Sequence, residues 1–139
     1  MKSNIKAPVF VALVLMVAGG IIPSRSYSQI PGVTRTDLQK QPLSITGREV
    51  VQARVDLKPG VTAPRHSHPG EEIVYVIEGL IEYHLDGQAP KVYKPGEVLF
   101  IPSGVIHSAK NVGKSNAAEL ATYILEKGKP AFVIAARQW

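Results

Sequence analysis

The chain has 139 residues, 45% of them hydrophobic, and no cysteine, so it suits a single domain and carries no disulfide framework. Its formal charge of +5 overstates its basicity: Lys2, Lys6 and Arg25 sit near the N-terminus, and the other 13 basic residues face 11 acidic ones. No cluster of Lys and Arg remains, which argues against a nucleic-acid partner.

Lys2 and Lys6 precede an apolar run of 16 residues from Ala7 to Ile22, and Ser26-Tyr27-Ser28 supplies a small-x-small triplet. This is the layout of a secretory signal. The run is shorter than the roughly 20 residues that cross a bilayer comfortably. Residues 1–28 are therefore predicted to be a cleaved signal peptide, with an uncleaved anchor as the alternative and the only membrane link. Either way the folded part is exported, periplasmic or secreted. Cleavage would leave residues 29–139, enough for one compact core.

Residues 29–47 carry few apolar side chains and read as an arm with a short edge strand near Leu43–Ile45. From Arg48 to Leu57 the pattern alternates: Val51, Ala53, Val55 and Leu57 share one face, and Gln52, Arg54 and Asp56 share the other. Further strands are predicted over Val61–His68, Ile73–Ile77, Leu80–Leu85, Lys91–Lys94, Val98–Ile101, Val105–Ala109 and Ala117–Glu126. Pro and Gly turns separate them. Residues 128–139 form a tail that adds a last strand or packs outside. Many short strands with such punctuation indicate an all-β sandwich or barrel.

His66 and His68 are two apart, so one strand presents both to the same side. Glu72 opens the next apolar run, where it can turn back toward them. His107 sits in a second glycine-bounded stretch, GEVLFIPSGVIHSAKN. Imidazoles with a carboxylate suit a divalent first-row metal. Burying them without a partner would be costly, and a metal turns that cost into binding free energy.

The two stretches resemble the cupin family. Gly60, His66, His68, Glu72 and Gly79 meet every spacing of that family's first pattern. Gly96, Pro102, Gly104, His107 and Asn111 meet every spacing of its second. The resemblance covers roughly residues 48–127. It implies a double-stranded β-helix, a small jelly-roll barrel, with one divalent metal per chain on His66, His68, Glu72 and His107. Iron, manganese, nickel or copper is favoured and zinc is possible. It also implies a homodimer.

Alternation assigns the surroundings. Val74 and Val76 share a face with Glu72, and Val105 and Ala109 share one with His107. With Phe100 and Tyr123 they are predicted to wall a largely apolar pocket for a small organic molecule. Gln52 and Arg54 are candidates for its mouth. Glu71, His84 and Arg65 are predicted to face away, and Asn111 to bond a loop backbone. No separate acid or base stands out beside the ligand motifs. The reading that follows is a metal-dependent, dioxygenase-like oxidoreductase acting on an enol or phenol, with Glu72 as ligand and base. A non-redox isomerase or decarboxylase and a non-catalytic binding module are the alternatives, since fold alone does not choose.

Overall fold

A computed structural model of the chain describes residues 30–135; the predicted signal segment and residues 136–139 lie outside them. The described residues are all β. They form ten strands: β1 (Val33–Pro42), β2 (Arg48–Leu57), β3 (Thr62–Ser67), β4 (Gly70–Glu78), β5 (Ile81–Leu85), β6 (Lys91–Tyr93), β7 (Val98–Ile101), β8 (His107–Asn111), β9 (Ala117–Glu126) and β10 (Val133–Ile134). Two five-stranded antiparallel sheets result, ordered β1-β2-β9-β4-β7 and β10-β3-β8-β5-β6. Their facing surfaces form a double-stranded β-helix with one core between the sheets.

Strand β2 shows why. Val51, Ala53, Val55 and Leu57 are buried while Val50, Gln52, Arg54 and Asp56 are only partly covered. Strand β9 answers it across the ladder with Ala117, Ala121, Tyr123 and Leu125 on the inner face. Burying one face per strand fixes the register, because a one-residue slip would turn every apolar side chain outward.

Two glycines set close approaches. A Cβ on Gly70 would overlap the Ile124 carbonyl oxygen where β4 meets β9. Gly79 turns out of β4 with φ +76, and a Cβ there would lie 2.6 Å from the Ala117 Cα. Asn111 ties the loops beneath: its amide donates to the carbonyls of Leu57 and Ser115, and its oxygen accepts from the Gly113 N–H.

The structure departs from the sequence reading at both ends of the barrel. The edge strand in the arm is Val33–Pro42, ten residues, and Leu43–Ile45 is loop. Only Val33 in that strand is buried, so it has no apolar alternation to announce it. Its stability comes from the backbone ladder to β2, which bulges between Asp37 and Gln39. The strand carrying His107 runs to Asn111 and begins at the histidine itself, because Pro102 and Gly104 hold the preceding residues in a turn. In the tail, β10 pairs Val133 with Ser67 and Ile134 with His66.

Candidate metal centre

His66 and His107 are cross-strand partners on β3 and β8. His68 follows the end of β3 on the same side, and Glu72 points inward from β4 on the opposite sheet. All four are buried. One nitrogen from each of His66, His68 and His107 falls within 4.8 Å of the others, so three buried histidines could hold a metal ion. Glu72 Oε2 lies 3.0 Å from His68 Nε2 and 3.2 Å from His107 Nε2.

Each imidazole is held by its far nitrogen. Nδ1 of His66 donates to the Pro64 carbonyl at 2.7 Å, that of His68 to the Ala131 carbonyl at 2.6 Å, and that of His107 to the Val105 carbonyl at 3.0 Å. A carbonyl can only accept, so the proton sits on Nδ1 and the Nε2 lone pair is left for the interior. Such outer bonds orient metal-ligating histidines. Burial, with the neighbouring His107 and His68, lowers His66 to about 3, so its imidazole is neutral at ordinary pH. Burial opposes ionisation of Glu72, but the close imidazoles of His107 and His68 outweigh it and hold the carboxyl well below the usual range.

This arrangement has a deficit that a cation would fill. His68 Nε2 and Glu72 Oε2 are buried atoms with no hydrogen-bond partner. With Nδ1 bonded to a carbonyl, only a proton or a metal ion on Nε2 makes this contact favourable. A divalent ion between them satisfies both, so the residues present fit a metal.

The cavity beside these ligands is small, about 10 Å³, room for one water or ion. Ala109 and Tyr123 line it. Val74 and Val76 are buried in the core without lining it, and Val105 contributes its carbonyl to His107 rather than a wall. Phe100 is a correction: it is 55% exposed, because inward alternation on β7 falls to Leu99 and Ile101. Gln52 and Arg54 are corrected too. They lie on the outer face of β2, bonded to Thr122 and to Asp56 and Glu78. His84 is exposed, Glu71 is half-buried on the face opposite Glu72, and Arg65 pairs with Asp86 at the surface. A wider cleft of about 280 Å³ lies against β1, lined by Asp37, Leu38, Gln39, Lys40 and Val51. Val51, which lines the cleft, and Tyr123, which lines the cavity, are cross-strand partners.

Three residues near the site were missed from sequence. Glu119 and Tyr83 both line the small cavity and bond each other at 2.7 Å, so an acidic group does stand beside the ligands. The signal was available: Glu119 occupies an inward position in the alternation of Ala117, Ala121 and Tyr123. Arg35 reaches from β1 to donate to the Tyr123 hydroxyl at 3.2 Å, with its guanidinium 5.1 Å from that ring. No local pattern revealed it, since β1 itself was not visible as a strand.

Comparison with known proteins agrees with this geometry. Residues 53–126 match the family described as cupin domain, and the chain belongs to the cupin family. It is 38% identical to germin-like protein 1 of Brassica napus over 85 residues, covering 58% of this chain and 41% of that protein. A solved oxalate oxidase in complex with glycolate superimposes with a TM-score of 0.61 at 28% identity, covering 78% of this chain and 58% of that one. The DMSP lyase DddQ of Ruegeria pomeroyi DSS-3 superimposes at 0.55 with 27% identity, covering 61% and 42% respectively. The chain spans about half, or less, of the length of the curated relatives it matches. It is a metal-binding cupin, similar over part of their length to germin-like proteins.

Proposed function

We propose that the chain is an exported metal-dependent oxidoreductase acting on a small organic molecule of enol or phenol type with dioxygen. His66, His68, Glu72 and His107 would hold iron, manganese, nickel or copper. The observation that carries the reading is the pair of orphaned atoms, His68 Nε2 and Glu72 Oε2, inside an otherwise satisfied imidazole cluster. A redox metal there would exchange electrons with dioxygen and polarise a coordinated oxygen. The chain's own residues supply the rest. The three Nδ1 bonds keep the imidazoles neutral and aimed, and Glu72 is an ionised ligand able to take a proton. The small cavity admits a species of water or dioxygen size, while the cleft beside Val51 has room for part of an organic molecule. The structural likeness to an oxalate oxidase supports the redox class.

A lyase-like reading, with the metal as Lewis acid, is favoured by the likeness to the DMSP lyase. Elemental analysis of the purified protein, followed by oxygen-uptake assays with enols and phenols, separates the two. A redox metal with substrate-dependent oxygen uptake supports the oxidase reading. Turnover with zinc and no oxygen uptake overturns it in favour of the lyase reading.

The same proposal places two copies together through the outward face of β4 and β7. There Ile73 pairs with Phe100 and Tyr75 with Val98, and all four are exposed. Export rests on the N-terminal segment read from the sequence.

A further inference from the structure

His68 is the one histidine of the three that its own strand does not hold. His66 and His107 are paired across the β3–β8 ladder, and each bonds a carbonyl two residues before it. His68 follows the end of β3, and its Nδ1 acceptor is the Ala131 carbonyl, 63 positions away. One bond at Nδ1 leaves an imidazole able to tilt about that bond, and tilting carries Nε2 away from Glu72. The buried Tyr123 ring closes this freedom. It comes from β9 on the opposite sheet and lies against the imidazole, with centroids 4.8 Å apart and planes at 56°. Arg35, from β1, grips that ring twice. Its Nη1 donates to the Tyr123 hydroxyl at 3.2 Å, and its guanidinium carbon lies 5.1 Å from the ring centroid. Asp37 places the guanidinium in turn, accepting from Nε at 2.8 Å. Arg35 is the one charged side chain of β1 that is not exposed. A guanidinium is not covered without compensation, and here the compensation is its hold on Tyr123 and Asp37.

We propose that Arg35 is a positioning residue for the metal ligand His68: it clamps the Tyr123 ring against the imidazole and so makes the polar edge strand β1 a working part of the centre. The inference rests on the metal reading above. Every link is a contact between neighbours, from Asp37 to Arg35, from Arg35 to Tyr123 and from Tyr123 to His68. Arginine suits the place because its planar fork can bond the hydroxyl while its face covers the ring, which a lysine ammonium cannot do at once. The role also fixes a sign. A positive charge near a cation site, acting through its field alone, weakens metal binding. A clamp strengthens it, because the lone pair of Nε2 is aimed before the metal arrives. Removing Arg35 therefore loosens the metal if it is a clamp and tightens it if it is only a charge.

The test titrates the full chain with cobalt(II) against a chromophoric chelator, in wild type, Arg35→Met, Arg35→Lys, Tyr123→Phe and the Arg35→Met/Tyr123→Phe double variant. Arg35→Met should bind cobalt about 3- to 10-fold more weakly, less than the loss of a direct outer partner because it acts through Tyr123. Arg35→Lys keeps the charge and should not restore wild-type affinity. Tyr123→Phe removes one oxygen and keeps the ring, so it folds if any variant does, and it should weaken cobalt similarly. The double variant should lie within about twofold of the weaker single one, because both remove the same clamp. In metal-free protein, hydrogen exchange at the imidazole Nδ1–H groups, followed by nitrogen-15 NMR, should speed up at His68 in Arg35→Met and stay unchanged at His66 and His107. A purely structural role would lower the melting temperature without moving either readout. Unchanged or tighter cobalt binding in Arg35→Met, single effects that multiply in the double variant, or unchanged exchange at His68 would each overturn the inference while leaving the metal reading standing. No cobalt uptake by wild type would overturn the metal reading and this inference with it.

Discussion

Nε2 of His68 and Oε2 of Glu72 face each other at 3.0 Å, buried, with no hydrogen bond to either. Each is directed there by its own element: Glu72 by the inward alternation of β4, His68 by its Nδ1 bond to Ala131. Either a proton on His68 or a metal ion between the two atoms is needed to make this contact favourable, and that makes it the most diagnostic contact in the molecule.

Loss of the ligands should therefore abolish metal binding without unfolding the barrel. His66→Ala/His68→Ala should reduce bound metal from near stoichiometric to background, and Glu72→Gln should weaken it, since an amide carries no charge. Elemental analysis beside circular dichroism checks both. Metal retained by the double variant would rule out this centre.

The tail should matter to the metal. Ala131 supplies the acceptor for His68 Nδ1, and β10 closes over β3. A chain ended at Lys129 loses both. Its metal affinity should drop about 10- to 100-fold, the usual effect of removing an outer-sphere partner. A competition titration with a chromophoric chelator reads this directly; unchanged affinity would mean that His68 is oriented without its carbonyl.

Stability of the metal-free protein should peak in mild acid. Burial lowers His66 to about 3, while an unfolded histidine titrates near 6.5. Below about 6.5 the unfolded chain therefore binds more protons than the folded one, and stability falls as pH drops. Glu72, also depressed, adds the same sign below the ordinary carboxylate range. Glu119 acts oppositely. Its folded carboxyl keeps its proton up to about 8 against an ordinary 4.5, so its contribution is lost as pH rises through that window. The maximum should lie near pH 4.5–6.5, where the two trends oppose, on the basis of those values. Thermal midpoints in chelator test this. Wild type should lose stability from pH 6.5 to 8 and Glu119→Gln should not; a wild-type midpoint that climbs across that range would contradict the assignment.

Asn111→Ala should destabilise by about 2–4 kcal/mol, because it deletes three hydrogen bonds and strands buried backbone groups. Denaturant unfolding measures the difference. A loss under about 0.5 kcal/mol, the level of an ordinary surface substitution, would show that water replaces the amide.

The outward face of β4 and β7 should govern assembly. Tyr75→Lys with Phe100→Lys should convert a dimer to a monomer in light scattering while leaving metal content unchanged. The patch is apolar and contiguous across two paired strands, which is unusual for a surface left in water. A wild-type monomer at high concentration would remove this role.

Much of the barrel was legible in the linear sequence because its strands bury one face each. Arg48–Leu57 follows from alternation, and Val98–Ile101 and Ala117–Glu126 from the turn residues that bound them, with the bounds observed. The buried cluster was equally legible, since His66, His68, Glu72 and His107 lie in two short stretches with regular spacing. Strand β1 was not, because an edge strand with polar side chains on both faces is held by backbone bonds that leave no mark in side-chain pattern. Arg35 was lost with it.

What the tertiary structure alone decided was distance across the two sheets. Glu119 and Tyr83 are 36 positions apart, and only sheet packing brings them together beside the ligands. The carbonyl acceptor for His68 comes from Ala131, 63 positions away, and carries no side-chain signature at all. Cavity size belongs to the same class: alternation placed side chains inward, but how closely they meet depends on the packing of both sheets. Local period set which residues face the interior, and three-dimensional closure set which of them touch.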